Sequence, residues 1–213
     1  DQKSAGSLIP FVLYPEQERI LKEFCQKPRV CVLKGRQIGI STLALYYALL
    51  FASCNKGIRV ALIANTHKVS QSLLSKISKM AKSLQVKHLK IKNTMSFKNG
   101  STIDCVTAGA QSGSAGRSDT YSLIIGSEVA YWERGEEAYA GILPTLTMDG
   151  QIIMESTATS AGVVFRNIWQ SKQFTQIFTG FESHPNYVAP ETDITDEDYF
   201  CAQQKYGFTS RKH

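Results

Sequence analysis

Apolar residues recur along this chain in two alternating rhythms. Short runs rich in β-branched residues predict strands at Arg29 to Leu33, Ile58 to Ala64, Thr102 to Val106, Ser122 to Ile125, Gln151 to Met154 and Gln176 to Thr179. Between them, apolar positions at helical spacing predict helices over Pro15 to Gln26, Ser41 to Phe51, His67 to Leu84, Gly135 to Leu143 and Val163 to Lys172. Strands that alternate with helices predict an α/β fold with a mostly parallel central sheet covered on both faces, in which ligands sit at the carboxyl ends of the strands. Asn99-Gly100 predicts a hairpin turn with Met95 to Lys98 and Ser101 to Val106 as its arms. Gln111 to Ser118, rich in Ser and Gly, reads as a mobile loop. After Gly180, the residues Pro185 and Pro190 and the acidic stretch Asp193 to Asp198 read as a linker ending in a short helix. The chain therefore divides into a compact unit over residues 1–180 and a tail over 181–213, with no internal repeat.

Composition narrows this picture. A chain of 213 residues, 43% hydrophobic and 20% charged, suits one compact domain. It contains no apolar run of about 18 residues and no basic-then-apolar leader, so a membrane partner is not expected and an intracellular, soluble protein is. Five cysteines, Cys25, Cys31, Cys54, Cys105 and Cys201, lack the paired spacing that zinc or dithiol chemistry needs, and read as reduced structural thiols. His67, His88, His184 and His213 show no metal-ligand spacing. A formal charge of +6 and a pI near 9.0 favour a polyanionic partner.

The strongest chemical signal is Val32-Leu33-Lys34-Gly35-Arg36-Gln37-Ile38-Gly39-Ile40-Ser41-Thr42, an apolar strand that runs through a glycine-containing turn into a helix. Backbone N–H groups of such a turn face phosphate, and the helix dipole favours the anion. Against the pattern G-x-x-x-x-G-K-[ST], Gly39 and Ser41 fit, but Lys34 stands at the first glycine and Ile40 at the lysine. The chemistry needs an ammonium near the β and γ oxygens, and Lys34 can reach across the loop to supply it. Arg36 adds a planar cation, Ser41 offers a hydroxyl to Mg²⁺, and Thr42 caps the helix. The expected ATP contacts are Lys34, Gly35, Arg36, Gln37, Ile38, Gly39, Ile40, Ser41 and Thr42.

A second apolar strand, Ser122 to Ile125, leads into Gly126-Ser127-Glu128-Val129-Ala130-Tyr131-Trp132. P-loop ATPases carry a metal-holding Asp and then a catalytic Glu at such a strand end; here Ser127 replaces the Asp. Ser127 can hold a Mg²⁺-bound water without the charge, and Glu128 can orient and deprotonate the attacking water. Asp104 and Glu155 are the other acids near strand ends that could take the Glu128 role.

Together these residues resemble the large terminase subunit of tailed bacteriophages, whose deviant phosphate loop carries its lysine at the first position. The resemblance spans nearly the whole chain and implies a P-loop NTPase fold of the ASCE type, ATP with Mg²⁺ as cofactors, and an ATP-driven DNA-packaging motor. Leu13-Tyr14-Pro15-Glu16-Gln17 looks like the family's adenine-recognising segment, which makes Gln17 the base contact. Arg117, in Ser114 to Thr120, matches the arginine that reaches a neighbouring subunit's ATP, with Arg36 as an alternative acting in cis. Ser156-Thr157-Ala158-Thr159 resembles the coupling motif that senses the γ-phosphate and moves the DNA-gripping part. The resemblance further implies double-stranded DNA, a homo-oligomeric ring (a pentamer), a portal and a small terminase subunit as partners, in the cytoplasm of a bacterial host. No second domain with clustered acids follows, so nuclease activity is not expected of this chain.

Lys76, Lys79 and Lys82 recur at helical spacing, and Lys87, His88, Lys90 and Lys92 follow; such a stripe can track a phosphate backbone without reading bases. Trp132 and Trp169 read as core residues. Two other functions fit parts of the pattern: a helicase-like nucleic-acid-stimulated ATPase, and a degenerate nucleotide-binding assembly module without turnover, the latter because of Ile40 and Ser127.

Overall fold

The computed structural model describes residues 11–108, 120–160, 162–185 and 197. Helix α1 (Pro15–Gln26) starts on a proline, which suits a first helical turn whose N–H groups have no partner. Strand β1 (Arg29–Lys34) then enters the glycine-containing turn, which passes into α2 (Ile40–Cys54). The remaining elements are β2 (Arg59–Ala64), α3 (His67–Ser83), β3 (His88–Ile91), β4 (Thr94–Phe97), β5 (Thr102–Thr107), β6 (Tyr121–Ser127), α4 (Gly135–Ile142), β7 (Leu146–Ser156), α5 (Val163–Gln170) and β8 (Thr175–Thr179).

The strands form one 8-stranded sheet in the order β3-β4-β5-β2-β6-β7-β1-β8. All pairings are parallel except β3 with β4 and β4 with β5. The predicted fold class stands, and the hairpin at Asn99-Gly100 joins β4 to β5 as expected. Strand β7 is longer than the predicted Gln151 to Met154, because its first residue, Leu146, pairs with Tyr121 ahead of a register shift. Strand β3 carried no sequence signal: Leu89, Lys90 and Ile91 are exposed, so this edge strand lacks the alternation that marks a half-buried one.

Period-two alternation sends the two faces of the sheet into separate cores. Val30, Val32, Leu62, Leu123, Ile125 and Ile153 pack with residues of α1, α2 and α3. Cys31, Ile63, Ile124, Ile152 and Met154 pack with residues of α5 and with Trp132 on the other face. Trp169 is partly buried against that second core, so both tryptophans pack as expected. Burial pushes the Cys31 and Cys105 thiols up to about 12, which leaves them inert; Cys201 lies outside the described residues.

The hairpin turn also terminates α2. Asn99 Nδ2 donates to the carbonyls of Ala52 (2.9 Å), Ser53 (3.1 Å) and Asn55 (2.7 Å), satisfying acceptors that a helix end leaves free. Replacing Asn99 with alanine removes all these bonds while leaving the carbonyls in place. The expected cost is about 1–3 kcal/mol of stability, read as a lower urea midpoint at unchanged slope.

Candidate functional site

Three neighbouring strands, β1, β7 and β6, end together at the carboxyl edge of the sheet. In register, Val32 lies beside Glu155, and Glu155 beside Ser127. Period-two alternation puts Lys34, two residues after Val32, on the same face as Glu155 and Ser127, under α2. Strand β7 thus inserts Glu155 between the lysine strand and the serine strand.

Lys34 is 8% exposed and points into this cluster. Its Nζ donates to Glu128 Oε1 at 2.7 Å and lies 3.2 Å from Glu155 Oε2. Glu155 is fully buried, and its Oε1 accepts from Ser127 Oγ at 2.7 Å. Glu128 Oε2 accepts from the Thr157 backbone N–H (3.1 Å) and hydroxyl (3.2 Å), with Ser156 Oγ 3.5 Å away. Ser156 Oγ in turn accepts from Ala130 N at 3.1 Å, tying the turn after β7 to the turn after β6. Trp132 Nε1 donates to the Ser127 carbonyl at 3.0 Å and braces that turn from the second core. Glu128 itself is held in the left-handed region at φ 50° and ψ 49°, a conformation that costs a non-glycine residue energy and turns its side chain back over the end of β7.

Electrostatics lock the pair. Burial by itself would depress the Lys34 ammonium, but the carboxyls of Glu155 and Glu128 outweigh it and hold the lysine above its ordinary value. Burial likewise works to raise Glu128, and the Lys34 ammonium with the Thr157 bonds overcomes it, leaving the carboxyl below its usual range. Tyr131, 38% exposed, has its phenol lowered first by the Thr157 hydroxyl, 3.2 Å away, and then by Arg36.

The loop itself is closely supported. Gly35 donates its N–H to the Thr179 carbonyl at 2.8 Å, and a Cβ there would sit 2.9 Å from the backbone nitrogen of Phe181. Gly39 caps α2 at φ 78°, and its Cβ would meet Gln17 Nε2 at 2.5 Å. Ile38 and Ile40 are each 1% exposed and belong to the core beneath. The position where the usual pattern has its lysine is therefore given over to packing. Arg36 and Gln37 are exposed on the loop, and Ser41 and Thr42 are half-buried in the first turn of α2. Gln17, 2% exposed, lies under the loop and donates to the Ile38 carbonyl at 3.3 Å, which the Tyr14 hydroxyl also reaches. Its Oε1 is buried with no hydrogen-bond partner.

Five of the expected site residues, Lys34, Ser127, Glu128, Ser156 and Thr157, form one bonded group, with Glu155 joining Ser127 to Lys34. Ala158 is exposed and Thr159 half-buried further along the turn, where the Thr159 carbonyl accepts from Gly162 N at 3.4 Å. Arg117 lies outside the described residues. Asp104 is removed from the site: it stands in mid-strand, level with Ala61, and bonds Arg59 at 2.7 Å and Thr94 at 2.7 Å. His88 is also removed from the cationic stripe, its ring nitrogens bonded to Ser78 Oγ and the Val86 carbonyl, each at 2.9 Å. Sequence reasoning missed Tyr131 and the contact of Glu155 with both Lys34 and Ser127. The alternation Ile125, Ser127 and Ile153, Glu155 was the available signal for the latter. Among the described residues, no group of three or more His, Cys, Asp or Glu is placed to hold a metal ion, and no helix is long and apolar enough to cross a membrane.

In sequence, no family model and no curated protein matches the chain. Solved structures do match. The large terminase of a thermophilic bacteriophage superposes with a TM-score of 0.68 at 10% identity, covering 94% of this chain and 52% of that one. The ATPase domain of the Thermus phage P74-26 large terminase gives 0.60 at 14% identity, covering 88% and 87%. This chain has the fold of a large-terminase ATPase domain. The HK97 bacteriophage large terminase gives 0.65 at 13% identity, covering 96% of this chain and 45% of that one. At such identities the likeness is one of fold, and the chain spans about half the length of the first and third of these terminases. The first has also been solved in complex with ADP and with ATP-gamma-S.

The Lys34–Glu128 pair sets a pH window. Glu128, lowered from 4.5, contributes stability above that value and loses it as pH falls through its depressed pKa; Lys34, raised from 10.5, contributes below that value and loses it as pH rises through its elevated one. The stability difference between wild type and Lys34→Met should therefore be largest between neutral pH and 10.5, shrink as pH falls toward and through 4.5, where the variant's unpaired buried carboxyls take up protons, and shrink again above 10.5. Urea melts at several pH values read this out, and a difference that peaks in acid contradicts the pairing.

Proposed function

We propose that the chain is the ATPase motor domain of a viral terminase large subunit, hydrolysing ATP to drive double-stranded DNA into a procapsid. The observation that carries this reading is the contact of Lys34 Nζ with Glu128 Oε1 at 2.7 Å, made beside a loop whose glycines leave no room for side chains. The nucleotide complexes of the thermophilic-bacteriophage terminase support ATP as the ligand. Residues 1–180 make the ATPase unit, and 181–213 a connector.

The residues present fit a nucleotide. Gly35 to Gly39 and the first N–H groups of the long α2 helix bind phosphate, with Lys34 and Arg36 supplying charge and Ile38, Ile40 and Gln37 shaping the loop. Gln17, whose buried Oε1 lacks a partner, is the residue that meets the base. Without a protein-only cluster among the described residues, Mg²⁺ suits the hydroxyls of Ser41 and Ser127 and the Glu128 carboxyl, partly through water, with ATP oxygens completing its shell. Bound ATP and Mg²⁺ supply the scissile phosphoryl group and the shielding of its charge.

With a triphosphate bound, Lys34 would turn its ammonium from Glu128 toward the phosphate oxygens. The carboxyl thus released orients a water and accepts its proton. Ser156, Thr157, Ala158 and Thr159 form the coupling turn: Thr157 bonds Glu128 by both N–H and hydroxyl, so a change at Glu128 changes the turn's partners. Arg117 acts in trans on a neighbour's ATP within a homo-oligomeric ring, a pentamer, with portal and small terminase subunit as further partners in the host cytoplasm. Arg36, beside Tyr131, is the alternative cation in cis. The exposed Lys79, Lys82, Lys87, Lys90 and Lys92 on α3 and the β3 edge offer a phosphate-tracking surface. The buried Ile40 and the neutral Ser127 favour one other reading, a nucleotide-binding assembly module without turnover.

Phosphate release, with and without duplex DNA, separates the two readings. In Glu128→Gln, turnover should fall by about 10²-fold or more while nucleotide affinity is kept; turnover at the wild-type rate removes Glu128 from the mechanism. Arg117→Ala should be defective only in assembled rings, and rescue by added Glu128→Gln subunits is the expected sign of action in trans.

A further inference from the structure

The cluster holds more negative charge than the ATPase reading uses. One ammonium, Lys34, faces two carboxyl groups, and Glu128 already takes it at 2.7 Å. Glu155, fully buried, has the same ammonium at 3.2 Å and the neutral Ser127 hydroxyl at 2.7 Å. Burying a carboxyl without a cation of its own is strongly unfavourable. When phosphates draw Lys34 toward the loop, Glu155 loses even that share. A second cation at this end of the sheet resolves the imbalance.

Strand geometry says which cation. In P-loop ATPases the metal is held by the loop hydroxyl and by an aspartate on the strand where this chain has Ser127. Ser127 and Glu155 are register partners on adjacent parallel strands, with side chains on the same face under α2. Neighbouring strands lie about 4.8 Å apart, and glutamate's extra methylene carries its carboxyl across that gap to Ser127 Oγ. A hydroxyl that donates to a carboxyl has its proton committed and its lone pairs free for another partner.

We propose that Glu155 is the positioning carboxyl of the metal site: it orients Ser127 Oγ and restores, from β7, the negative charge that an aspartate on β6 would carry. The Ser127–Glu155 pair acts as an aspartate divided between two strands. This rests on the ATP and Mg²⁺ reading above. The competing role, counterion to Lys34 alone, makes a different prediction, because Lys34 serves phosphate whether or not metal is present.

The test measures affinity for a non-hydrolysable ATP analogue on the full chain, once with Mg²⁺ and once with EDTA; the ratio is the gain due to metal. Glu155→Gln and Ser127→Ala should each reduce that gain by about 10–100-fold, as loss of an outer-shell partner does, whatever either does to affinity in EDTA, because the ratio is taken within each variant. The double variant should lose no more than either single one, and Ser127→Asp combined with Glu155→Gln should recover the gain. Equal weakening of Glu155→Gln in both buffers, or a full metal gain in either single variant, overturns the proposal. If Glu155→Gln fails to fold, Glu155→Asp, which keeps the charge but shortens the reach to Ser127 Oγ, is judged by the same criterion. A wild-type chain that binds the analogue in neither buffer removes the nucleotide reading itself, an outcome distinct from wild-type binding with a metal gain indifferent to Glu155.

Discussion

Lys34 ends β1 with its charge out of water, and the groups around it are arranged against the cost of that burial. An isolated buried ammonium would give up its proton. Two carboxyls, Glu155 at the end of β7 and Glu128 in the turn after β6, keep it charged at the carboxyl edge of the sheet. Glu128 in turn takes its left-handed backbone from this arrangement: only a sharp turn off β6 brings its side chain back over Thr157 and Lys34. The site is therefore strained and charged at once, which is where chemistry is expected.

The sheet order makes this possible. A strand placed between the lysine strand and the glutamate strand puts a third set of side chains, Glu155, Ser156 and Thr157, into the gap. These touch the lysine, the serine and the glutamate on either side. Lys34 is thus one bond away from Glu128 and two bonds away from the turn leading into α5. The three strand ends are joined by short contacts between shared partners rather than by a long path.

Much of the architecture was legible in the chain. Strand and helix periodicity identified six of the strands and the five α-helices seen among the described residues, because buried elements must show their period, while the short helix expected in the tail falls largely outside them. Lys34, Ser127 and Glu128 stood out because they end apolar runs, where packing gives no reason for charge or hydroxyls, whereas Thr157 was marked by the resemblance of its turn to the terminase coupling motif. The edge strand β3 was not legible, since an exposed strand is free of the alternation that burial imposes. Asp104 was misjudged for a related reason: a polar residue in a strand looks the same whether it faces a ligand or pairs with Arg59.

Along the one-dimensional chain, much local chemistry is legible: which buried segments prefer strands, where a turn needs glycine, which loop resembles those that meet phosphate. Those follow from side-chain shape and hydration within a few residues. Partnership between Lys34 and Glu128, 94 residues apart, and between Ser127 and Glu155, 28 apart, could not follow from it. Strand order and register decide which ends lie side by side, and they are set by how both faces of the sheet bury their apolar residues at once.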